Sequence, residues 1–343
     1  MKRKTILGLV AATAIGLAGC SPTADTPEPS AQSESAQSEV AAAPARTIET
    51  EFGTVELPEG DASDWKVVAL GWSDAEAALA AGIKPVAVYD WMSFGEENKG
   101  VGPWATELFG DVDPVVFPNI DATVDYEAVA SLEPDLILNV RSSGDEEQYE
   151  KLASIAPTVS GPEGAAPYAV EWPTHLTMIA DSLGRAEQGQ SALAEAEETI
   201  SAVRADNPEF AGFTAVVGTK FGDAYGAYLP GDTRWDLLSD VGFILYPPVE
   251  DLESMGYYAP VSTEQVSVFD ANVAVFFPIG YTLEEMEDDP LISSLAVVQD
   301  GRAVMLSETS EEAQAFSAMS VLSVPLALEA LAPQLQDAVG RAQ

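Results

Sequence analysis

The stretch Pro173–Asn207, PTHLTMIADSLGRAEQGQSALAEAEETISAVRADN, lies between two segments of similar size. Each segment alternates short apolar runs with helical patterns. The apolar positions Leu176, Ile179, Leu183, Ala186, Leu193, Ala196, Ile200 and Val203 fall mostly three or four apart, the period of a helix with one buried face. Gly184 interrupts that period as a C-terminal cap does, so the spacing predicts one helix up to Leu183 and a second over Ala186–Asp206. The second would be about 30 Å long at about 1.5 Å per residue, enough to run from one lobe to another.

On the N-terminal side, Arg46–Pro58 alternates around Gly53 and predicts a small hairpin. Lys66–Leu70 reads as a buried strand. Ser73, with Glu76 three residues on, reads as a capping box opening a short helix that Gly82 ends, and Pro85–Tyr89 is the next strand. Strand, short helix and strand imply a parallel pair with a right-handed crossover. Asp125 caps a further helix with Glu127 in its first turn and Val129 and Leu132 facing inward; Pro134 stops it before the strand Asp135–Val140. The order repeats beyond the connecting helix: Ser262 as cap, Glu264 in the first turn, Val266 and Phe269 inward, then the strand Val273–Phe277. This repeated unit supports two similar α/β lobes joined by the connecting helix.

The remaining pieces fit that plan. A short helix from Tyr149 runs into an edge strand at Ala156–Val159. Phe213–Thr219 is a β-branched strand, and Gly222–Pro230 a glycine-rich turn holding Tyr225 and Tyr228. Asp232 caps a helix carrying Leu237, Leu238 and Val241, and Pro247–Pro260 is a loop with Tyr257 and Tyr258. Arg302–Leu306 is the last strand, followed by helical runs that Pro325 and Pro333 break. Asp90–Gly110 carries Trp91, Phe94, Trp104 and Phe109 among glycines after a strand; a ligand-facing surface and a loop anchored by its own aromatics are both open.

Composition excludes several functions. The chain has 343 residues, 47% of them hydrophobic, enough for one large core or two ordinary ones. A formal net charge of −41 repels nucleic acid and anionic membranes. One cysteine and one histidine allow no intrachain disulfide and disfavour a transition-metal site built from side chains. No Gly-x-Ser-x-Gly elbow and no phosphate-binding Gly-Lys loop occurs, and no carboxylate pair stands out among 56 acids, so no catalytic residue is assigned. His175 at a helix start could be a base or an axial haem ligand, but an incidental helix-start histidine fits it better.

The N-terminus carries Lys2, Arg3 and Lys4, an apolar run Ile6–Ile15 and small residues before Cys20, the pattern of a secretory signal peptide. Leu17-Ala18-Gly19-Cys20 resembles the bacterial lipobox, which implies cleavage before Cys20 and acylation of its thiol and new amine. Residues 21–45, rich in Ser, Ala, Pro, Glu and Gln, predict a flexible tether.

Several motifs occur in order: the lipobox, the tether, Val67-Val-Ala-Leu-Gly-Trp-Ser-Asp74, Gly82-Ile-Lys-Pro-Val-Ala-Val88, Val124-Asp-Tyr-Glu-Ala-Val129, Leu132-Glu-Pro-Asp-Leu-Ile-Leu138, Ile155-Ala-Pro-Thr-Val159 and Leu183-Gly-Arg185. Together they resemble the iron–siderophore substrate-binding lipoproteins of ABC importers, a family that includes cobalamin and haem binders. The resemblance covers nearly all of residues 46–340. It implies an α/β fold of two Rossmann-like lobes bridged by a single long helix, with the ligand in the cleft between them. The expected divisions are a signal peptide (1–19), lipidated Cys20 and tether (20–45), an N-terminal lobe (46–184), the connecting helix (185–206) and a C-terminal lobe (207–343).

The resemblance also implies that Glu127 and Glu264 dock onto arginines of the membrane permease; read from the residues alone, each equally complements the N-terminus of its helix. Ligands in such folds meet the carboxyl ends of strands, which selects Trp72, Trp91, Asn119, Arg141, Lys220, Tyr228, Arg234 and Tyr258 as candidate ligand contacts. Without a dense arginine cluster a neutral or cationic ferric hydroxamate is expected, carried as transported ligand rather than intrinsic cofactor. The expected protein is a non-enzymatic monomer anchored by lipid at the outer face of the cytoplasmic membrane. Cobalamin or haem binding, or a secreted carboxylate-dependent hydrolase, are the rival readings.

Overall fold

The computed structural model describes residues 46–119, 123–222 and 224–343. The expected signal peptide, Cys20 and tether lie outside the described residues. A hairpin of β1 (Thr47–Thr50) and β2 (Gly53–Glu56) precedes the first sheet. That sheet contains β3 (Val67–Ala69), β4 (Ala87–Asp90), β5 (Val115–Pro118), β6 (Leu136–Asn139) and β7 (Thr158–Ser160). Its order is β5-β4-β3-β6-β7 and every pair is parallel. The order in which strands are added reverses at β3, going outward to β4 and β5 and then to β6 and β7 on its other side, so the carboxyl ends of β3 and β6 frame a crevice where such sheets take ligands.

The second sheet is mixed. It contains β8 (Thr214–Phe221), β9 (Ala224–Tyr228), β10 (Ile244–Leu245), β11 (Tyr258–Val261), β12 (Val273–Ile279) and β13 (Ala303–Met305). The order is β11-β9-β8-β12-β13, with β10 pairing with the start of β8. Strands β9 and β11 run antiparallel to their neighbours. The expected glycine-rich turn at Gly222–Pro230 is therefore mostly strand, and the end of the Pro247–Pro260 loop is strand too. Gly226 allows this: a side chain there would collide with the Tyr258 ring, which lies across it. A glycine read as a turn signal is in fact a strand residue under close approach.

The helix Trp172–Ser182 ends at Gly184 (φ 65°), and the bridging helix Ala186–Asp206 follows. It buries only Gly189, Ala196 and Ile200, so its contact stripe is narrow. It packs on the preceding helix and on the C-terminal helix Ser323–Ala342, and one apolar core runs continuously from Leu136 and Leu138 through Ile179, Ala196 and Ile200 to Val216 and Val275. Among the described residues no helix is long and apolar enough to cross a membrane.

Three further local expectations are corrected. Ser73 and Glu76 form no capping box: Ser73 sits at φ 60° with no side-chain cap bond, and its Oγ donates to Ala318 O at 2.9 Å. Glu76 instead accepts from Trp104 Nε1 at 2.8 Å and from Ser320 Oγ, so both groups are drawn toward tertiary partners. Ser262 caps no helix either; its Oγ donates to the Gln265 side chain at 2.8 Å, and only a 3₁₀ turn, Val266–Phe269, fits before β12. The two lobes thus differ where the repeated unit was expected. Pro325 and Pro333 do not break the last helix. Pro325 falls in its first turn, where the amide has no helical partner, and exposed Pro333 leaves the freed carbonyl to water.

A Cβ on Gly189 would lie 2.5 Å from the Ala180 Cβ, because the two central helices approach closely there. Gly189→Val is expected to lower stability by about 1–3 kcal/mol through overpacking, read as a lower urea midpoint with an unchanged slope.

Candidate functional site

A cleft of about 700 Å³ opens between the carboxyl ends of the two sheets. The N-terminal wall is an aromatic ladder. Trp72, just past β3, stacks on Trp91, just past β4, with centroids 4.3 Å apart and planes within 9°. The other face of Trp72 stacks on Tyr168 at 4.1 Å. The Trp72 amide donates to Arg141 O at 2.8 Å, which fixes the ladder to the end of β6.

Strands and a helix start build the opposite wall. Tyr228 and Tyr258 face each other in register across β9 and β11, with rings 5.5 Å apart edge to face. The Arg234 guanidinium lies 3.8 Å above the Tyr228 ring, a cation–π contact. Asp232 caps that helix through the Arg234 amide and grips the Arg234 side chain through Nε at 2.8 Å and Nη2 at 2.7 Å. Burial works against the Arg234 charge, yet Asp232 and Tyr228 hold it above the ordinary arginine range. Burial also pushes the Tyr228 hydroxyl up to about 12. Phe277 and Ile279 at the end of β12, Glu308 beyond β13 and Met319 also line the cleft.

Of the sequence candidates, the cleft lining brings together Trp72, Trp91, Tyr228, Arg234 and Tyr258. It does not include Asn119, Arg141 or Lys220. Asn119 stands behind the ladder: Tyr89 OH donates to its Oδ1 at 2.7 Å, and its Nδ2 donates to Trp91 O at 2.8 Å. Lys220 pairs with Asp289 at 2.6 Å. Arg141 is 1% exposed and donates to the carbonyls of Val170 at 2.9 Å and Met319 at 2.9 Å. Its Nη2 has no partner among the described residues, and it borders a separate cavity of about 40 Å³ that Arg234 also lines. Burial lowers Arg141 to about 10, against the pull of Asp74, Asp232 and Glu76.

His175, 1% exposed, meets Asp74 Oδ1 through Nε2 at 2.6 Å and is not offered to the cleft. Glu127 and Glu264 are exposed and make no ion pair among the described residues. No group of three or more His, Cys, Asp or Glu among the described residues could hold a metal ion.

Sequence reasoning missed Tyr168, Phe277, Glu308 and Met319. Phe277 and Glu308 were findable, because both sit at or just past the carboxyl end of a strand. Tyr168 was not: it is brought to Trp72 by a turn in which its own φ is 60°.

Comparison with known proteins settles the family. The model of the periplasmic binding protein family matches residues 67–308. The chain belongs to that family. Its members are extracytoplasmic solute-binding proteins rather than enzymes. A probable siderophore-binding lipoprotein of Bacillus subtilis is 34% identical over 169 residues, 49% of this chain and 47% of the relative, so the match spans about half of that protein. An Fe(3+)-citrate-binding protein of the same organism is 27% identical over 69% of this chain and 71% of its own. A periplasmic solute-binding protein from Mycobacterium smegmatis superposes with a TM-score of 0.73 at 26% identity, covering 86% of this chain and 99% of the other. Streptococcus pneumoniae PiaA, solved in complex with ferrichrome, gives 0.71 at 23% identity, covering 87% and 99%. At that identity the likeness is one of fold. These neighbours share the two-lobed architecture.

The helix that carries Arg234 also shows what the chain's acidity costs. Burial, with Asp232, Glu171 and Asp240 nearby, raises Asp236 to about 6. The folded state therefore holds this proton at pH values where the unfolded chain releases it, and stability falls as pH rises from about 4 to about 6. Asp236→Asn keeps the acceptor for the Gly231 amide and should remove that fall. The expected gain above pH 7 is about 1–2 kcal/mol after allowing for partial exposure, read by urea unfolding at pH 5 and pH 7.5.

Proposed function

We propose that this chain is the substrate-binding protein of an ABC importer, and that it captures a ferric siderophore of hydroxamate type in the inter-lobe cleft. The observation that carries this reading is the cleft's chemistry: aromatic walls around about 700 Å³, with a single arginine whose charge is already matched by Asp232. A volume of that size suits a compact small-molecule ligand. An iron complex whose chelator supplies every ligand oxygen needs only outer contacts, and aromatic faces with one directed cation provide them. The relatives named for siderophore and ferric-citrate binding support iron as cargo. Citrate and catecholate complexes are anionic, and a cleft with one neutralised arginine in a chain of net charge −41 favours a neutral or cationic trihydroxamate over them. Haem binding is disfavoured because the chain's only histidine, His175, is buried against Asp74.

For delivery, the reading rests on the family resemblance and on the exposure of two glutamates. Glu127 and Glu264 dock one on each side of the cleft onto arginines of the permease, replacing surface hydration with charge-assisted bonds. Residues 1–19 are removed, acylated Cys20 anchors the chain outside the cytoplasmic membrane, and residues 21–45 tether lobes 46–184 and 207–343, with the helix 185–206 between them, to that surface.

The test is tryptophan fluorescence of the chain lacking residues 1–20, titrated with ferric hydroxamates, a ferric catecholate, ferric citrate, haem and cobalamin. Stacked Trp72 and Trp91 should be strongly quenched by an iron complex, saturating below micromolar with a trihydroxamate. Arg234→Gln should weaken that binding at least about tenfold. A flat response from folded protein across the whole panel would refute the siderophore reading.

A further inference from the structure

Two charged groups line the cleft among the described residues, Arg234 and Glu308, and they are treated differently. Asp232 grips Arg234 through both carboxylate oxygens, at 2.8 and 2.7 Å. Glu308 has no such partner. It lies three residues beyond β13, half-buried, and its Oε2 accepts from the Leu283 amide at 2.9 Å and from Ser307 Oγ at 3.4 Å. Among the described residues its Oε1 accepts no hydrogen bond, and no Lys or Arg is within ion-pair distance. The Leu283 amide and Ser307 hydroxyl hold the carboxylate in place without cancelling its charge. The lining therefore carries one uncompensated negative charge among aromatic rings.

A partly desolvated carboxylate is stabilised when a ligand brings the cation it lacks. A ferric trihydroxamate core has no net charge to offer, since three hydroxamate anions balance iron(III). The cation must come from a substituent on the chelator, and a protonated amine can both donate to Oε1 and rest against aromatic faces. Resting on the siderophore reading above, we propose that Glu308 is a specificity-determining residue that selects ferric hydroxamates bearing a protonated amine. The strongly acidic surface acts in the same direction, drawing such cationic complexes toward the cleft.

A matched pair of probes tests this: the iron(III) complex of a linear trihydroxamate with a free terminal amine, and the same complex after N-acetylation. Both are titrated into the full chain in detergent micelles at pH 7, followed by tryptophan quenching, for the native protein and Glu308→Gln. Glutamine keeps an oxygen for the Leu283 amide, so the local fold is retained. The native protein should bind the amine complex about tenfold more tightly than the acetylated one, with the preference shrinking in high salt. Glu308→Gln should lose that preference by weakening the amine complex alone. Equal binding of the two probes by native protein, or an undiminished preference in Glu308→Gln, would overturn the proposal while leaving the hydroxamate reading intact. Saturable binding of neither probe would overturn the hydroxamate reading, and this inference with it.

Discussion

The buried carboxylate of Asp74 ties the cleft together. It is fully enclosed, accepts from the Val140 amide at 2.8 Å and the Arg141 amide at 3.3 Å, and meets His175 Nε2 at 2.6 Å. An unpaired buried carboxylate would cost several kcal/mol; here it joins the turn after β3, the end of β6 and the helix that leads into the bridging helix. Burial and the nearby Arg141 charge push His175 below its ordinary range, against the pull of Asp74. The same turn then reaches the other lobe. Ser73 bonds Ala318 O, Arg141 bonds Met319 O, and Glu76 bonds Ser320. Met319 is held at φ 51° between these contacts, an unfavourable conformation for a residue with a Cβ. The lobes are thus connected by the bridging helix and by this clasped segment, and Tyr257 OH adds a bond to Pro167 O at 3.1 Å.

Those connections explain why the cleft's electrostatics can be so sparing. With the walls already positioned by backbone and buried polar groups, the ligand-facing side chains need only supply shape and a few directed charges. Aromatic rings on both sides give contact area with little rotamer entropy to lose. Asp232 serves the helix start and Arg234 together, so the one arginine over Tyr228 is oriented before any ligand arrives.

Periodicity made the architecture legible, and tertiary demand hid the details. The two central helices and the parallel strands of the first lobe followed from apolar spacing and from Gly184. The strand β9 did not, because Gly226 and Tyr228 look like turn residues until the ring packed on Gly226 is seen. Ser73 and Glu76 have the spacing of a cap, but a partner in the distant segment Ala318–Ser320 outbids the local bond, and no local pattern reveals it. For the candidate site, the rule that ligands meet strand ends selected Trp72, Trp91, Tyr228 and Tyr258, which line the cleft. It also selected Arg141, Lys220 and Asn119, since spacing cannot tell a side chain that enters the cleft from one that turns back to brace the wall.

The two walls differ in how their spacing is set. Tyr228 and Tyr258 stand at paired positions of a hydrogen-bonded ladder, so their separation is a property of the sheet. Trp91 and Tyr168 come from turns outside any ladder. One side therefore works as an anvil of constant profile and the other as an exchangeable die. Lengthening or reshaping the turns around Trp91 and Tyr168 would remodel the breadth of the cleft without disturbing a single strand pairing. In a protein built this way, a change of cargo is an edit to one side only.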